Sequence, residues 1–221
     1  MPENLTRESL VEFFGEEEFQ KLCNHEAGHA LVAFLFKRPL DYVKMDKSKE
    51  RPGITHIAGS ELEGDAHIAM AGHLAEFLIR HEFKCGLDTV MTELPMELYK
   101  SDVDYQRFQA ACYYFHLAET SVVEQDYNIL MACRKQLCEI AKALNERVYL
   151  SRYHFMRLFK AETGSTVHAY VRQKRLLYAA RLIREGAPAN QAAEAAGFAD
   201  YSAFHRAFKA SFGVSPGQLK K

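Results

Sequence analysis

Five residues constrain this chain more than any others: His25, Glu26, Ala27, Gly28 and His29, inside the apolar run HEAGHALVAFLF. Two histidines four positions apart fall on one face of a helix, a turn apart, so both imidazoles reach a single metal ion. Glu26 projects beside them, placed to take a proton from a water polarised by that ion. Two neutral nitrogens, a carboxylate and one open position suit catalytic Zn²⁺. The bland alternative is a helix that merely carries two histidines. The flanks argue against it, because Leu22, Ala30, Ala33, Phe34 and Phe36 would seat this helix in a core and make its ligands rigid.

Around the motif, the pattern predicts a helix over 16–37, ended by Pro39. The alternating stretches 41–47 and 53–58 read as a hairpin. His56 within it reads as a surface or cleft residue. A second helix follows over 63–81, with Ile68, Ala71, Ala75 and Leu78 at helical spacing. Ala69, Ala71, Gly72 and Ala75 are small enough to let it lie close against the first. His67 and His73 read as ordinary hydrogen-bonded or exposed groups, and Glu76 as an outer carboxylate for a metal-bound histidine. Residues 82–100 read as a loop broken by Gly86 and Pro95 and able to wall a substrate cleft. A helix then runs to about residue 116. Ser101 and Asp102 suit its N-cap, which leaves Asp104 as the better third metal ligand and Asp102 as the other choice. Ser121 and Glu124 form a capping box that opens a long helix to about 146.

Charge divides the chain. The net value is −1, yet residues 151–221 hold 12 Lys+Arg against 4 Asp+Glu, and residues 1–150 hold 16 against 25. A basic tail behind an acidic front implies two modules with different partners, the tail's being a polyanion such as double-stranded DNA. Five cysteines without a C-x-x-C pair point to reduced thiols. Cys23 should face away from the histidines and pack. The first residues lack a signal-peptide pattern and no apolar run reaches membrane-spanning length, so a cytoplasmic protein without a membrane partner is expected.

HEAGHALVAF, the helix with Ala71, Gly72, Ala75 and Glu76, and an aspartate at a helix start together resemble the peptidase domain of FtsH-type zinc proteases, over roughly residues 17–147. The resemblance implies His25, His29 and Asp104 as zinc ligands, Glu26 as base, and a protein or peptide substrate. There is no ATPase module or Walker A sequence. The family's Gly-Arg-Ala-Ala-Glu reads Gly72-His73-Leu74-Ala75-Glu76 here, and its stretch before the aspartate is not reproduced.

The runs LSRYHFMRLFKAETG, YVRQKRLLYAARLI and AAEAAGFADYSAFHRAFKASFGVSP resemble the DNA-binding domain of AraC-type transcription regulators, two helix-turn-helix units joined by a long helix. The residues read the same way. A first recognition helix begins after Ser151, with Phe155, Leu158 and Phe159 inward, and ends at Gly164. A linker helix covers 166–184, with Tyr170, Leu177 and Ala180 inward. A short helix over 190–196 turns at Gly197-Phe198 into a second recognition helix capped by Asp200, with Phe204 and Phe208 buried. The DNA-facing candidates are Arg152, Tyr153, His154 and Arg157 on the first, and Tyr201, Ser202, His205, Arg206 and Lys209 on the second.

The expected architecture is therefore mainly α. A HExxH metallopeptidase-like helical domain with a small β-hairpin (1–133) is fused to an all-α double helix-turn-helix domain (134–221), whose leading helix the front domain shares. Two functions fit: a zinc peptidase carried on a DNA-binding regulator, or a regulator whose metal fold is a non-catalytic sensor or scaffold.

Overall fold

The computed structural model describes residues 5–48, 52–57, 65–98 and 102–219. The molecule is mainly helical. Its packing divides the chain into two units, 1–162 and 163–221.

In the first unit, α1 (Arg7–Phe14) starts with a capping box between Thr6 and Ser9. Gly15, at φ 85°, turns the chain into α2 (Glu16–Leu35), whose first turn carries Glu16, Glu17 and Glu18 against the helix dipole. Then come β1 (Leu40–Met45), β2 (Gly53–Ile57), α3 (Asp65–Arg80), α4 (Leu87–Glu97), α5 (Val103–Tyr114), α6 (Glu119–Ala132), α7 (Arg134–Arg147), β3 (Tyr149–Ser151) and α8 (Arg152–Thr163).

The unit is built on the pair α2 and α3. Their approach is set by Gly28, where an added Cβ would stand 2.3 Å from the Ala71 carbonyl oxygen. A backbone contact that close demands glycine at position 28. Leu31, Val32, Ala33, Leu74 and Leu78 complete the core between them and their neighbours. Cys23 is fully buried, and burial pushes its thiol up to about 12, so it packs, as its position on α2 predicted.

The sheet is antiparallel throughout, in the order β2-β1-β3. A bulge between Leu40 and Tyr42 lets Leu40 and Val43 both face inward, with Met45 two residues on. The expected hairpin is present. The third strand is an addition. It follows Val148, a β-branched residue held in the left-handed region at φ 54°, and its Leu150 lies opposite Val43.

Two expectations need correction. Residues 82–100 are not one loop: α4 occupies Leu87–Glu97, with Pro95 inside it and Val90 and Leu94 buried a turn apart. The long helix expected over 121–146 is two, α6 and α7, broken at Cys133, and α6 begins at Glu119 without a side-chain cap. By packing the units divide after residue 162, so α7, β3 and α8 group with the front of the chain. Asn145 on α7 shows how. It accepts from the Arg7 Nε at 2.8 Å and donates to the Gln20 side-chain oxygen at 3.0 Å, tying α7 to α1 and α2. Phe34 of α2 stacks edge-on against Phe155 of α8, with ring centroids 4.7 Å apart.

The second unit holds α9 (Val167–Arg184), α10 (Ala189–Ala195) and α11 (Tyr201–Phe212), followed by a 3₁₀ turn at Pro216–Gln218. Its core is Leu176, Ala179, Ala180, Ala192, Ala193, Ala196, Phe204 and Phe208. Leu176 is the inward leucine of α9. Leu177, expected there, is 49% exposed. Gly197, at φ 76°, makes the turn after α10, and its carbonyl accepts from Arg175 of α9 at 2.7 Å.

Candidate metal centre and nucleic-acid interface

His25 and His29 stand one turn apart on α2, with their Nε2 atoms 2.8 Å apart. The Asp104 Oδ2 lies 3.3 Å from each of those nitrogens. The structure thus brings together the three residues expected as ligands. Their outer partners fix how they present themselves. The His29 Nδ1 sits 2.6 Å from the Ile68 carbonyl oxygen, an acceptor, so this nitrogen carries the proton. The His25 Nδ1 faces the Glu76 carboxylate at 2.5 Å and does the same. Both Nε2 lone pairs and a carboxylate oxygen then converge on one point.

Such a point attracts positive charge. Before an ion binds, a proton on the His25 Nε2 takes that place, and a metal would have to displace it: burial would pull the His25 pKa down, but hydrogen bonds to Asp104 and Glu76 outweigh it and raise the value to about 10. Burial works in the opposite sense on Asp104, and its bonds to His25 and His29 outweigh it, holding this carboxyl far below the ordinary range. Ligand atoms on a tetrahedral zinc with bonds of about 2.0–2.1 Å stand about 3.3 Å apart. The two Asp104 separations match that spacing, and the nitrogen pair is somewhat closer. The donor set fits the ion.

Glu26 lies under β2. It is 7% exposed, and its Oε2 accepts a hydrogen bond from the Thr55 hydroxyl at 2.5 Å. A Cβ at Gly53 would come 2.4 Å from its Oε1, so a side chain at 53 would displace this carboxylate. Asp102 caps α5, accepting from the backbone N–H groups of Asp104 and Tyr105. Ser101, the other expected cap, falls outside the described residues. His67 belongs to neither ligand cluster among the described residues. It pairs at 2.8 Å with Asp126, whose carboxyl burial pushes up to about 6 against the pull of His67. His56 is exposed and stacks on Tyr42. A second cluster, His25, His73 and Glu76, uses the outward nitrogen of His25, which is already engaged with Glu76. Sequence reasoning missed Thr55 and Gly53, and neither left a local signal. His73, read as an ordinary hydrogen-bonded or exposed group, lies with its Nε2 2.9 Å from the Asp102 carboxylate.

On α8, Phe155 and Phe159 point into the core, while Arg152, Tyr153 and Arg157 are exposed and His154 is half-buried. Burial and the charges of Arg147 and Arg157 lower the His154 pKa, a sign of a cationic surface. On α11, Phe204 and Phe208 are buried. Tyr201, Ser202, Arg206 and Lys209 are exposed on the other side, with His205 half-buried. Asp200 caps α11 through the Ser202 N–H, and Gly213 ends it at φ 74°.

A family model described as a helix-turn-helix domain matches residues 144–221. This stretch is an AraC-type helix-turn-helix domain. It resembles known regulators. It is 40% identical over 74 residues to the probable transcriptional regulator LumQ of Photobacterium leiognathi, covering 33% of this chain and 30% of that protein. It is 36% identical over 81 residues to the RCS-specific transcriptional activator RclR of Escherichia coli, covering 36% and 28%. The multiple antibiotic resistance protein MarA of Salmonella typhimurium is 34% identical over 78 residues, 35% of this chain and 61% of MarA. The chain therefore spans about a third or less of the first two relatives' length. Among the described residues, no helix is long and apolar enough to cross a membrane.

Proposed function

We propose that this chain is a DNA-binding transcription regulator whose front unit is a zinc-dependent metallopeptidase-like domain of the FtsH type. The observation that carries the front half is the convergence of the two Nε2 atoms, their rings held by Glu76 and the Ile68 carbonyl, with the Asp104 carboxylate, on the helix that also carries Glu26. When bound there, Zn²⁺ supplies a Lewis acid that polarises a carbonyl and acidifies water. The chain's own contribution is the base. Glu26 accepts the proton of the attacking water, with one of its oxygens steadied by Thr55. A protein or peptide is the substrate class. Untagged protein is expected to hold one zinc per chain by elemental analysis, with His25, His29 and Asp104 as ligands in anomalous maps. Metal-free protein with the two histidines turned apart would end this reading.

A second reading, a metal sensor or scaffold without catalysis, draws on one observation: the Glu26 carboxylate is buried and already engaged by Thr55. Both readings keep the DNA-binding half.

For that half, Arg206 and Arg157 are the leading base contacts. Each alanine variant is expected to lose about 1–3 kcal/mol of specific binding and to relax preference at one position. Affinity should fall steeply with salt as counterions are released. Gel shifts on selected genomic sites at two salt concentrations measure both, and binding that ignores salt and both arginines would contradict the assignment.

A further inference from the structure

Helix α3 faces the metal-ligand cluster with four groups in succession. The Ile68 carbonyl takes the proton of His29, Gly72 leaves room for both rings, and Glu76 takes the proton of His25. The fourth is His73. Its ring meets that of His25 edge-on, with centroids 4.9 Å apart, but it makes no bond to a ligand side chain. Instead its Nε2 lies 2.9 Å from the Asp102 Oδ1. That same oxygen accepts from the backbone N–H groups of Asp104 and Tyr105, both at 2.9 Å.

We infer that His73 is a positioning residue for Asp104: by donating to Asp102 it pins the first turn of α5, so that the third ligand faces His25 and His29. This rests on the metal reading given above. The geometry is economical of freedom. Asp104 comes from a different helix than the two histidines. Helix α5 packs against α3. The bond from His73 adds a polar anchor for the first turn of α5, and it comes from the helix that already orients both histidines. All three ligands are thereby referenced to one rigid element, which is what a preorganised centre requires.

The test uses full-length untagged protein and measures zinc affinity by competition with a chromophoric chelator. His73→Phe keeps a ring and removes the donor. It should weaken zinc binding by about 10–100-fold. His73→Gln places an amide N–H near the lost Nε2 and should restore most of the affinity. In an Asp104→Ala background, His73→Phe should cost nothing further, because its effect runs through Asp104. Thermal melts without metal accompany each variant. If His73→Phe does not fold, the His73→Gln comparison decides alone: near-wild-type affinity supports the role, and a loss equal to that of Asp104→Ala refutes it. Undiminished affinity in His73→Phe, or the same loss with Asp104 already removed, overturns the inference and leaves the metal centre standing. A wild-type chain that takes up no zinc overturns both.

Discussion

Glu26→Gln is expected to leave zinc uptake and DNA binding unchanged and to lower peptide hydrolysis by about 10²–10⁴-fold, the usual contribution of a positioned general base. The change is nearly isosteric. The Gln amide oxygen still accepts from Thr55, so the buried contact survives and β2 keeps its place over position 26. What is lost is the ability to take a proton. A quenched-fluorescence unfolded protein, incubated with wild-type and variant chains of equal zinc content, provides the readout. Equal cleavage by both would assign any activity elsewhere. No cleavage by the wild type, with zinc bound and DNA affinity responding to it, would favour the sensor reading.

The second large effect is expected at Gly72→Ala. A Cβ there would lie 2.6 Å from the Nε2 atoms of both His25 and His29. These are side-chain ends, free to swing away, so the helix itself is not broken. Alanine in fact favours a helix interior over glycine by about 1 kcal/mol. The rings must rotate, however, and each then loses its partner, Glu76 or the Ile68 carbonyl. Zinc affinity is expected to fall more than about 100-fold, beyond the loss of a single outer partner. The melting temperature without metal should hold or rise. Gly28→Ala would behave oppositely, since its Cβ meets the backbone of Ala71 at 2.3 Å and drives α2 and α3 apart. Chelator titration and thermal melts separate the two signatures. A Gly72→Ala chain with undiminished affinity would show that the ligands do not meet through their Nε2 atoms.

The site was largely legible because helices write their faces into the sequence. The spacing of His25 and His29, the preference of Asp102 for the cap, and the run of small residues on α3 each carry a local rule. Glu76 was legible by its role, since a ligating histidine needs an acceptor behind it. Thr55 and Gly53 were not, because no local pattern states which strand will cross Glu26. Helix α4 was hidden by Gly86 and Pro95, read as breakers. Gly86 is the N-cap, and Pro95 lies inside the helix despite giving up its own backbone bond to the turn before. Strand β3 is three residues long, too short for a period to show. On α9 the neighbouring leucines 176 and 177 offered two phases, and Ala179 and Ala180 settle it on Leu176.

Strand β3 also governs how such a chain can be recombined. It hydrogen-bonds into the front sheet, and Phe34 covers Phe155 on the helix that follows. A graft that moved residues 134–221 onto another front module would carry α8 with its leading strand unmatched and an aromatic side exposed to water. A graft made after 162 would leave α8 behind and divide the two helix-turn-helix units between parents. Neither cut yields an independent cassette, so exchange of the front unit would have to bring α8 with it. On the proposed assignment of α8 and α11 as the reading helices, the DNA sequence read by α8 would then be inherited together with the front module, and only the half-site read by α11 would be free to change.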